Sequence, residues 1–361
     1  FGRHSYVPQG LLNAAFLTAA YGALMDLTWR SLHDRRVQVG TTLMLVLCVQ
    51  PVCYTTFLYG NLPGLCLSLW ALDCLLRWLS AGRKRWIVPA FLLMALAVVL
   101  KPNYLIFALA AALVTALYAL GARRLGALLV CAGLLAAPLA ADRLARLALE
   151  KRTGFSLGEG APQTTWLAMG MQEGPMAPGW YNRYSLTLME RAELDPDTAL
   201  ALNRQDIAQR LSEFAADPAY ALSFYHEKMV SQWAETTFEA MLVNRMMPSE
   251  SPFPALVNSL LSGSGSQALA LYMEGYTLTL YLGFAAGMAL LALGLLRRKA
   301  WEWTRLYAPL ALMVAVLGGF LYHMLFEAKS QYLMIYLPMM APLAAWGLAW
   351  RPKGVKASPA P

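Results

Sequence analysis

Charged residues are scarce in this sequence. Asp, Glu, Lys and Arg together make up 14% of its 361 residues, whereas a typical soluble domain carries about 25%. Hydrophobic residues account for 58% of the chain. This composition excludes an ordinary soluble globular protein and predicts a membrane protein.

Residues that usually perform hydrolysis or bind metals are also few. The chain has four histidines and contains no HExxH, GxSxG or P-loop lysine motif, which excludes the common zinc proteases, serine hydrolases and ATPases. Its five cysteines lie in apolar stretches without CxxC or Cys/His spacing, so we expect them to pack as small hydrophobic side chains. No pattern identifies a cofactor, and a divalent metal stays an open alternative without support from the sequence.

The positive charge of the chain is unevenly distributed. The net charge is +8, yet the region 142–274 contains 10 Lys/Arg and 16 Asp/Glu, against 19 and 5 in the rest of the chain. The basic surplus lies in short clusters beside apolar stretches, as the positive-inside bias of membrane proteins predicts. We interpret it as a signal of membrane orientation, with no nucleic-acid partner.

Nine apolar stretches approach the length of about 20 residues that a membrane-spanning helix needs. The fourth of them is short, and the second is expected to bend at Pro51. The stretches cover residues 10–29, 37–58, 62–80, 86–100, 103–121, 125–142, 275–296, 306–326 and 330–350.

Every second connection between these stretches is basic, which predicts that those connections face the cytoplasm. The basic clusters are Arg30/Arg35/Arg36, Arg83/Lys84/Arg85, Arg123/Arg124, Arg297/Arg298/Lys299 and Arg351/Lys353/Lys356. Residues 1–9, the turns at 59–61, 101–103 and 327–329, and the loop 143–274 are then predicted to face outward.

The predicted fold is an all-α polytopic membrane bundle of about nine spanning helices, with one large, partly helical extracytoplasmic loop. Six membrane helices occupy residues 1–142, the loop covers 143–274, three more membrane helices occupy 275–350, and 351–361 form a cytoplasmic tail. The chain is thus expected to reside in a membrane and to contact its lipids.

Two amphipathic helices are predicted inside the large loop. One covers about 198–215. The other begins with Asp217 as N-cap and Pro218 in the first helical position. Tyr225, Met229 and Trp233 recur every four residues and form the apolar face of this second helix. We expect both helices to lie at the membrane interface or to cover the outer mouth of the bundle.

Two lysines stand at the predicted outer end, against the orientation bias. Lys101 ends the fourth stretch, and Lys329 lies two residues after Glu327 in the last outer turn. Either lysine alone reaches phospholipid headgroups by snorkelling. Two fixed cations on one face also match the needs of a phosphate-linked lipid, because ionisable groups at membrane depth usually mark function.

His323 and Glu327 are four residues apart and are expected to share a helix face. A hydrogen-bonded structural pair is the favoured interpretation, with a metal or proton-relay pair as the alternative. Trp166 and the Trp180–Tyr181 pair are interpreted as interface anchors. An aromatic platform for a sugar ring is the sharper alternative for them.

Two further pairs, Asp26 with Arg30 and Asp73 with Arg77, repeat the i, i+4 spacing at predicted cytoplasmic helix ends. We interpret them as ion pairs within single helices. Beyond these pairs, buried ionisable groups are expected to be nearly absent.

A succession of six stretches resembles the bacterial polytopic glycosyltransferases of the GT-C fold. That superfamily includes the protein O-mannosyltransferases and the enzymes that add aminoarabinose to lipid A. The similarity of order and spacing extends over essentially the whole chain. The stretches are LLNAAF (11–16), PVCYTTFLYGNLPGL (51–65), LKPNYLIFALAA (100–111), TTWLAMG (164–170), FYHEKMVSQW (224–233) and FEAKSQYLMIYLP (326–338).

The resemblance implies transfer of a sugar from a polyprenyl-phosphate donor, with inversion, on the outer face of the bacterial inner membrane. The acceptor, a lipid, glycan or protein of the envelope, is unknown. In such enzymes an acid in the first outer loop activates the acceptor. That loop is expected upstream of Phe1, so the sequence is expected to be a C-terminal piece of the enzyme.

The resemblance also implies roles for residues near the outer turns. Lys101 and Lys329 would contact the donor phosphate, with Asn103, Gln331 and Tyr332 as hydrogen-bond donors, although relatives usually have Arg at the position of Gln331. The remaining candidates are Glu327 and His323 as supporting residues, and Trp166, Tyr59 and Asn61 as sugar or acceptor contacts.

Other functions stay open at this stage. A transporter or flippase of lipid-linked saccharides would need a polar path across the membrane, which the scarcity of buried charge disfavours. A polymerase or ligase of surface glycans usually depends on Arg and His in its outer loops. A membrane scaffold without enzymatic activity is the remaining alternative.

Overall fold

The computed structural model describes residues 6–158, 160–246, 253–296 and 303–349. This part of the chain is all-α, with sixteen α-helices and no named β-strand. The predicted basic clusters at 297–299 and 351–356 and the predicted tail lie outside the described residues.

Ten helices form the bundle. They are α1 (Val7–Leu32), α2 (Arg35–Leu47), α3 (Val49–Cys53), α4 (Asn61–Ala81), α5 (Ile87–Leu100), α6 (Leu105–Gly121), α7 (Ala127–Thr153), α14 (Gly265–Leu296), α15 (Trp303–Leu325) and α16 (Tyr336–Ala349). The loop between α7 and α14 contains α8 (Thr164–Gly170), α9 (Tyr184–Arg191), α10 (Pro196–Ala216), α11 (Pro218–Trp233), α12 (Ala240–Met246) and α13 (Pro254–Ser262).

Seven helical segments are long and apolar enough to cross a membrane, and a bent pair formed by α2 with the residues after Cys48 would be an eighth. The protein is therefore a multi-pass α-helical membrane protein. The seven segments are Val7–Leu32, Asn61–Ala81, Pro102–Gly121, Ala127–Thr153, Gly265–Leu296, Trp303–Leu325 and Ser330–Ala349.

The prediction of nine spans exceeds what these helices support, because the fourth stretch is too short. Helix α5 has 14 residues, which at 1.5 Å per residue gives roughly 21 Å, less than the hydrocarbon core of about 30 Å. Although short, it packs against α4 and α7 and runs antiparallel to α4, from the basic connection beside Arg77 to the end that holds Asn61 and Lys101.

The bend in the second stretch is confirmed, but its place differs from the prediction. The helix axis turns by 44° at Cys48, whose backbone is extended, and not at Pro51. Pro51 is the third residue of α3. The first turn of a helix tolerates proline because the amide groups there have no intrahelical partner.

The two predicted ion pairs are confirmed, and they form one network. Arg30 Nε lies 2.8 Å from Asp26 Oδ2 and Arg77 bonds Asp73 within α4. Two further contacts cross between α1 and α4, from Arg77 Nη2 to Asp26 Oδ2 at 2.6 Å and from Arg30 Nε to Asp73 Oδ1 at 3.6 Å. The network therefore fixes the two helices to each other at the basic end of the bundle.

The predicted outer turns meet at the opposite end. Lys101 Nζ donates to the side-chain oxygen of Asn61, and it lies 5.2 Å from the centre of the Tyr332 ring. The turns at 59–61, 101–103 and 327–329 are thus gathered together, as the alternating topology requires. Their exposure to the outer side of the membrane stays a prediction.

The second loop helix begins as predicted. The side chain of Asp217 accepts a hydrogen bond from the backbone N–H of Tyr220 at 3.0 Å, and Pro218 is the first residue of α11. The first predicted helix is also confirmed, as α10, with Asp195 capping its N-terminus through the N–H of Thr198.

The most buried side of α11 is not the predicted apolar face. The buried residues of this helix are Phe224, Lys228 and Gln232, one position before the apolar series. That series is partly buried: Tyr225 packs against Phe214, and Met229 and Trp233 line an open groove. Periodicity alone does not reveal that a lysine and a glutamine occupy the inner side of the helix.

Candidate functional site

Lys101 is enclosed between the ends of three helical segments. Pro102 follows it, so α5 ends at this point. Only 6% of Lys101 is exposed. Its Nζ donates to Asn61 Oδ1 and lies 4.4 Å from the centre of the Tyr59 ring and 5.2 Å from that of Tyr332. The two rings and the amide oxygen stabilise a cation here.

Two opposing effects nevertheless act on the pKa of Lys101. Burial lowers the pKa of Lys101 to about 7, while the nearby Glu327 acts in the opposite direction. Burial also raises the pKa of Glu327, whose carboxylate accepts a hydrogen bond from the Tyr332 hydroxyl at 3.1 Å. An anion that binds beside Lys101 would therefore favour its charged form.

Lys329 is the more accessible of the two predicted lysines. Its Nζ lies 3.1 Å from Glu239 Oε2, and 30% of its side chain is exposed, against 7% for Glu239. The next residue, Ser330, lies 3.2 Å from Glu239 Oε1 and 3.0 Å from Glu235 Oε2 through its hydroxyl. Because a serine hydroxyl carries one proton, it donates to only one of these carboxylates at a time.

Local hydrogen bonds fix the two glutamates in a tight turn after α11. Glu235 accepts hydrogen bonds from the backbone N–H groups of Thr237 and Glu239 at 3.1 and 2.9 Å. Phe238 and Glu239 both have positive φ angles, of 48° and 56°, which L-residues adopt only at a cost. The Tyr54 hydroxyl donates to the Phe238 carbonyl at 2.5 Å, and this bond joins the turn to the bundle.

Glu235 and Glu239 are functional candidates that sequence reasoning missed. Both fall in the large polar loop, where acidic residues are numerous, so their spacing gave no sign that Glu239 reaches Lys329 and that Glu235 reaches Ser330. The backbone conformation of the turn, which brings them back over the bundle, was not readable from the pattern.

The predicted contact between His323 and Glu327 exists in a different form. Helix α15 ends at Leu325, so Glu327 does not share a helix face with His323. The ring nitrogen Nδ1 of His323 lies 3.4 Å from the backbone oxygen of Glu327, and the ring stacks on Tyr332 at 5.5 Å. The side chain of Glu327 turns to Tyr332 instead.

The three aromatic candidates of the loop, Trp166, Trp180 and Tyr181, differ in their contacts and exposure. Trp166 contributes its backbone oxygen, which accepts from the N–H of Glu327 at 3.0 Å. Trp180 is buried, with its indole N–H bonded to Ser231 Oγ at 2.9 Å, so it does not offer a free ring face. Tyr181 is 46% exposed.

The remaining predicted residues differ in accessibility. Asn61 is 3% exposed and engaged by Lys101, whereas Tyr59 is 51% exposed. Tyr59 is therefore the better placed of the two to meet a sugar or acceptor. Asn103 and Gln331 are partly exposed in the turns beside the two lysines.

The expectation that buried ionisable groups are nearly absent outside the helix pairs is wrong. Lys101, Lys228, Glu239 and His323 are all buried. All four belong to the end of the bundle that holds the outer turns, or to the loop above it. Among the residues that the structure describes, no three His, Cys, Asp or Glu side chains converge as a metal site would.

An apolar groove of about 380 Å³ runs between α11, α14 and α15. Its lining includes Trp233, Tyr281 and Phe320. The Trp233 ring lies 6.4 Å from that of Tyr336, which in turn lies 6.3 Å from the ring of His323. Ala234, which also lines the groove, directly precedes Glu235, and the buried Trp233 Nε1 has no hydrogen-bond partner among the described residues.

The fold and the site define a multi-pass membrane protein in which charged and polar residues from three turns and a large loop converge at one end of the bundle. Comparisons of the chain with protein-family models, with curated proteins and with solved structures gave no match. The cluster comprises Tyr59, Asn61, Lys101, Glu235, Glu239, Glu327, Lys329, Ser330 and Tyr332.

Proposed function

We propose that this chain forms the donor site of a membrane glycosyltransferase, which moves a sugar from a polyprenyl phosphate to an envelope acceptor with inversion. The observation that supports it is the junction of two features. Lys101 and Lys329 lie in one polar cluster, and an apolar groove adjoins the turn that carries Glu235 and Glu239 of that cluster. A lipid phosphate has the same division between a charged head and a long apolar chain.

The two lysines would serve the phosphate in different ways. Lys329 is exposed on one side and exchanges its Glu239 carboxylate for a phosphate oxygen, a charge-assisted contact of the same kind. Lys101 is held between the rings of Tyr59 and Tyr332, and its amine gains a proton when the anion binds. Together they meet the negative charge that develops on the phosphate when the bond to the sugar breaks.

The groove would hold the first isoprene units of the donor. Its walls come from aromatic and aliphatic side chains of α11, α14, α15 and α16, and covering such surface with a hydrocarbon chain contributes roughly 25 cal/mol per Å². The donor head would then lie within the reach of Lys329.

A photoreactive polyprenyl phosphate tests this proposal in proteoliposomes. We expect crosslinks on peptides of α11 and α15 that line the groove, and we expect competition by unlabelled polyprenyl phosphate. The corresponding polyprenol, which lacks the phosphate, should compete poorly. Equal competition by both lipids, or crosslinks spread over the lipid-facing helices, would remove the donor site from consideration.

A further inference from the structure

Lys228 is a fully buried lysine that the proposed donor site does not use. It lies in the middle of α11 and has no exposed surface. Its Nζ donates to the backbone oxygen of Gly170 and, at 2.9 Å, to that of Phe326. Taking an amine out of water is costly, so these two carbonyls are what makes its burial tolerable.

The two carbonyls belong to segments far apart in the sequence. Gly170 is the last residue of α8 in the large loop, and Phe326 begins the turn that carries Lys329. Two backbone hydrogen bonds join the same segments, from the N–H of Glu327 to Trp166 O at 3.0 Å and from the N–H of Ala328 to Gly179 O at 2.8 Å. The amine therefore closes a junction of three segments.

The backbone at this junction leaves no space for other side chains. Gly179 has a φ of +72°, and a Cβ atom added there would stand 2.6 Å from Lys228 Cε and 2.7 Å from Gly170 O. A Cβ atom on Gly170 would overlap the backbone of Phe326. Glycine is needed at both positions for the segments to approach the amine this closely.

The donor capacity of the amine matches its surroundings. Burial lowers the pKa of Lys228 to about 7, and a neutral amine has two N–H groups for two carbonyls. Gln232, one turn further along α11, bonds the backbone oxygen of His323 at 3.4 Å. The inner side of α11 is thus polar because it holds backbone carbonyls at the end of α15.

We infer that Lys228 is a positioning residue that holds the turn 326–329 against the large loop. Its hydrogen bond to the Phe326 carbonyl fixes the positions of Glu327 and Lys329, although the amine itself contacts neither of these side chains. The role of Lys329 toward a lipid phosphate rests on the proposed function, whereas the junction itself does not.

Lys228→Met tests the inference, because methionine keeps the length of the side chain and removes its donors. Hydrogen exchange in detergent should become about tenfold faster at the amides of Glu327 and Ala328. Farnesyl phosphate, measured at equal folded protein, should bind the variant about three- to tenfold more weakly. Glu227→Gln, exposed on the same helix, should leave both measurements unchanged.

Unchanged exchange at 327 and 328, or an increase spread evenly over the whole bundle, would overturn the positioning role. Faster local exchange together with no farnesyl phosphate binding by any variant would support the junction and refute the proposed function. Gly179→Ala serves if Lys228→Met does not fold, since it crowds the amine while leaving it present. It should accelerate exchange at the same two amides, and failure to do so would contradict the inference.

Discussion

The ammonium group of Lys329 lies 3.1 Å from the buried carboxylate of Glu239. A phosphate that binds Lys329 has to replace this carboxylate and then remain close to it. Removing the charge of Glu239 should therefore favour the anion. We expect Glu239→Gln to bind farnesyl phosphate about three- to tenfold more tightly than the wild-type protein, as measured by isothermal titration in detergent.

The control for this variant is Glu227→Gln, which removes an exposed carboxylate from α11. It should leave the affinity unchanged. Weaker binding by Glu239→Gln would mean that the carboxylate supports the ligand site, and would contradict a competition between Glu239 and phosphate for Lys329.

Lys101 predicts a specific pH dependence of ligand binding. Its pKa of about 7 rises when an anion binds beside it, so binding takes up a proton at pH values above 7. The contribution of Lys101 to the affinity is then full below about pH 7 and falls as the pH rises, until the higher pKa of the complex is passed. Titrations with farnesyl phosphate between about pH 6 and 9 should show this decline.

Lys101→Arg is the matched variant for the pH measurement, because a guanidinium stays charged over this range. Its affinity should not decline with pH, apart from the titration of the phosphate itself below about pH 7. A decline of the same size in both proteins would show that Lys101 is not the titrating group.

The orientation of the bundle can be tested by cysteine labelling. Tyr59 lies half exposed at the end that holds Lys101, and Arg83 lies exposed in a basic connection at the other end. The positive-inside bias predicts that Tyr59→Cys reacts with a membrane-impermeant thiol reagent in intact cells and that Arg83→Cys reacts only after permeabilisation. Cys53 and Cys131, the two native cysteines that are not fully buried, are replaced by serine beforehand. The reverse pattern would put the proposed donor site on the cytoplasmic side.

The charge network at the basic end predicts a measurable contribution to stability. Arg77→Met leaves Asp73, which is 1% exposed, with only the longer contact of 3.6 Å to Arg30 Nε. We expect a loss of about 2–4 kcal/mol in the free energy of unfolding, since a buried charge that loses its close partner is costly. Thermal unfolding in detergent measures this as a lowered midpoint.

Arg146→Met is the matched control for Arg77→Met. Arg146 forms the same i, i+4 pair with Asp142, but both side chains are 52% exposed. Exposed pairs of this kind contribute about 0–1 kcal/mol, so the midpoint should hardly change. Equal losses in the two variants would show that the network adds nothing beyond local helix pairing.

Much of the architecture was predictable because hydrophobic length and charge bias act locally. The spanning segments, the caps at Asp217 and Pro218, and the pairs at Asp26 and Asp73 each depend on residues within a few positions of one another. The exception among the spans is α5, whose 14 residues are fewer than a spanning helix usually needs, although the helix connects the same two ends of the bundle. Apolar composition does not reveal where such a helix begins and ends.

The site was predictable only in part, because its contacts join distant segments. Lys101 and Lys329 were singled out by their unusual position relative to the orientation bias. Glu239 and Lys228 come from the large loop, where charge is common, and only the folded chain shows that they reach the bundle. His323 and Glu327 failed as a side-chain pair because the helix ends between them.

The assignment of Lys101 and Lys329 to the donor phosphate is tested by the affinity of three variants for farnesyl phosphate. They are Lys101→Met, Lys329→Met and the control Lys151→Met. Each of the first two variants removes one of the cations assigned to the phosphate, while Lys151 lies exposed near the end of α7. We expect about tenfold to a hundredfold weaker binding for the first two, the usual range for a lost hydrogen bond to a charged group, and no change for the control. Wild-type affinity in both Lys101→Met and Lys329→Met would show that these two lysines do not bind the phosphate.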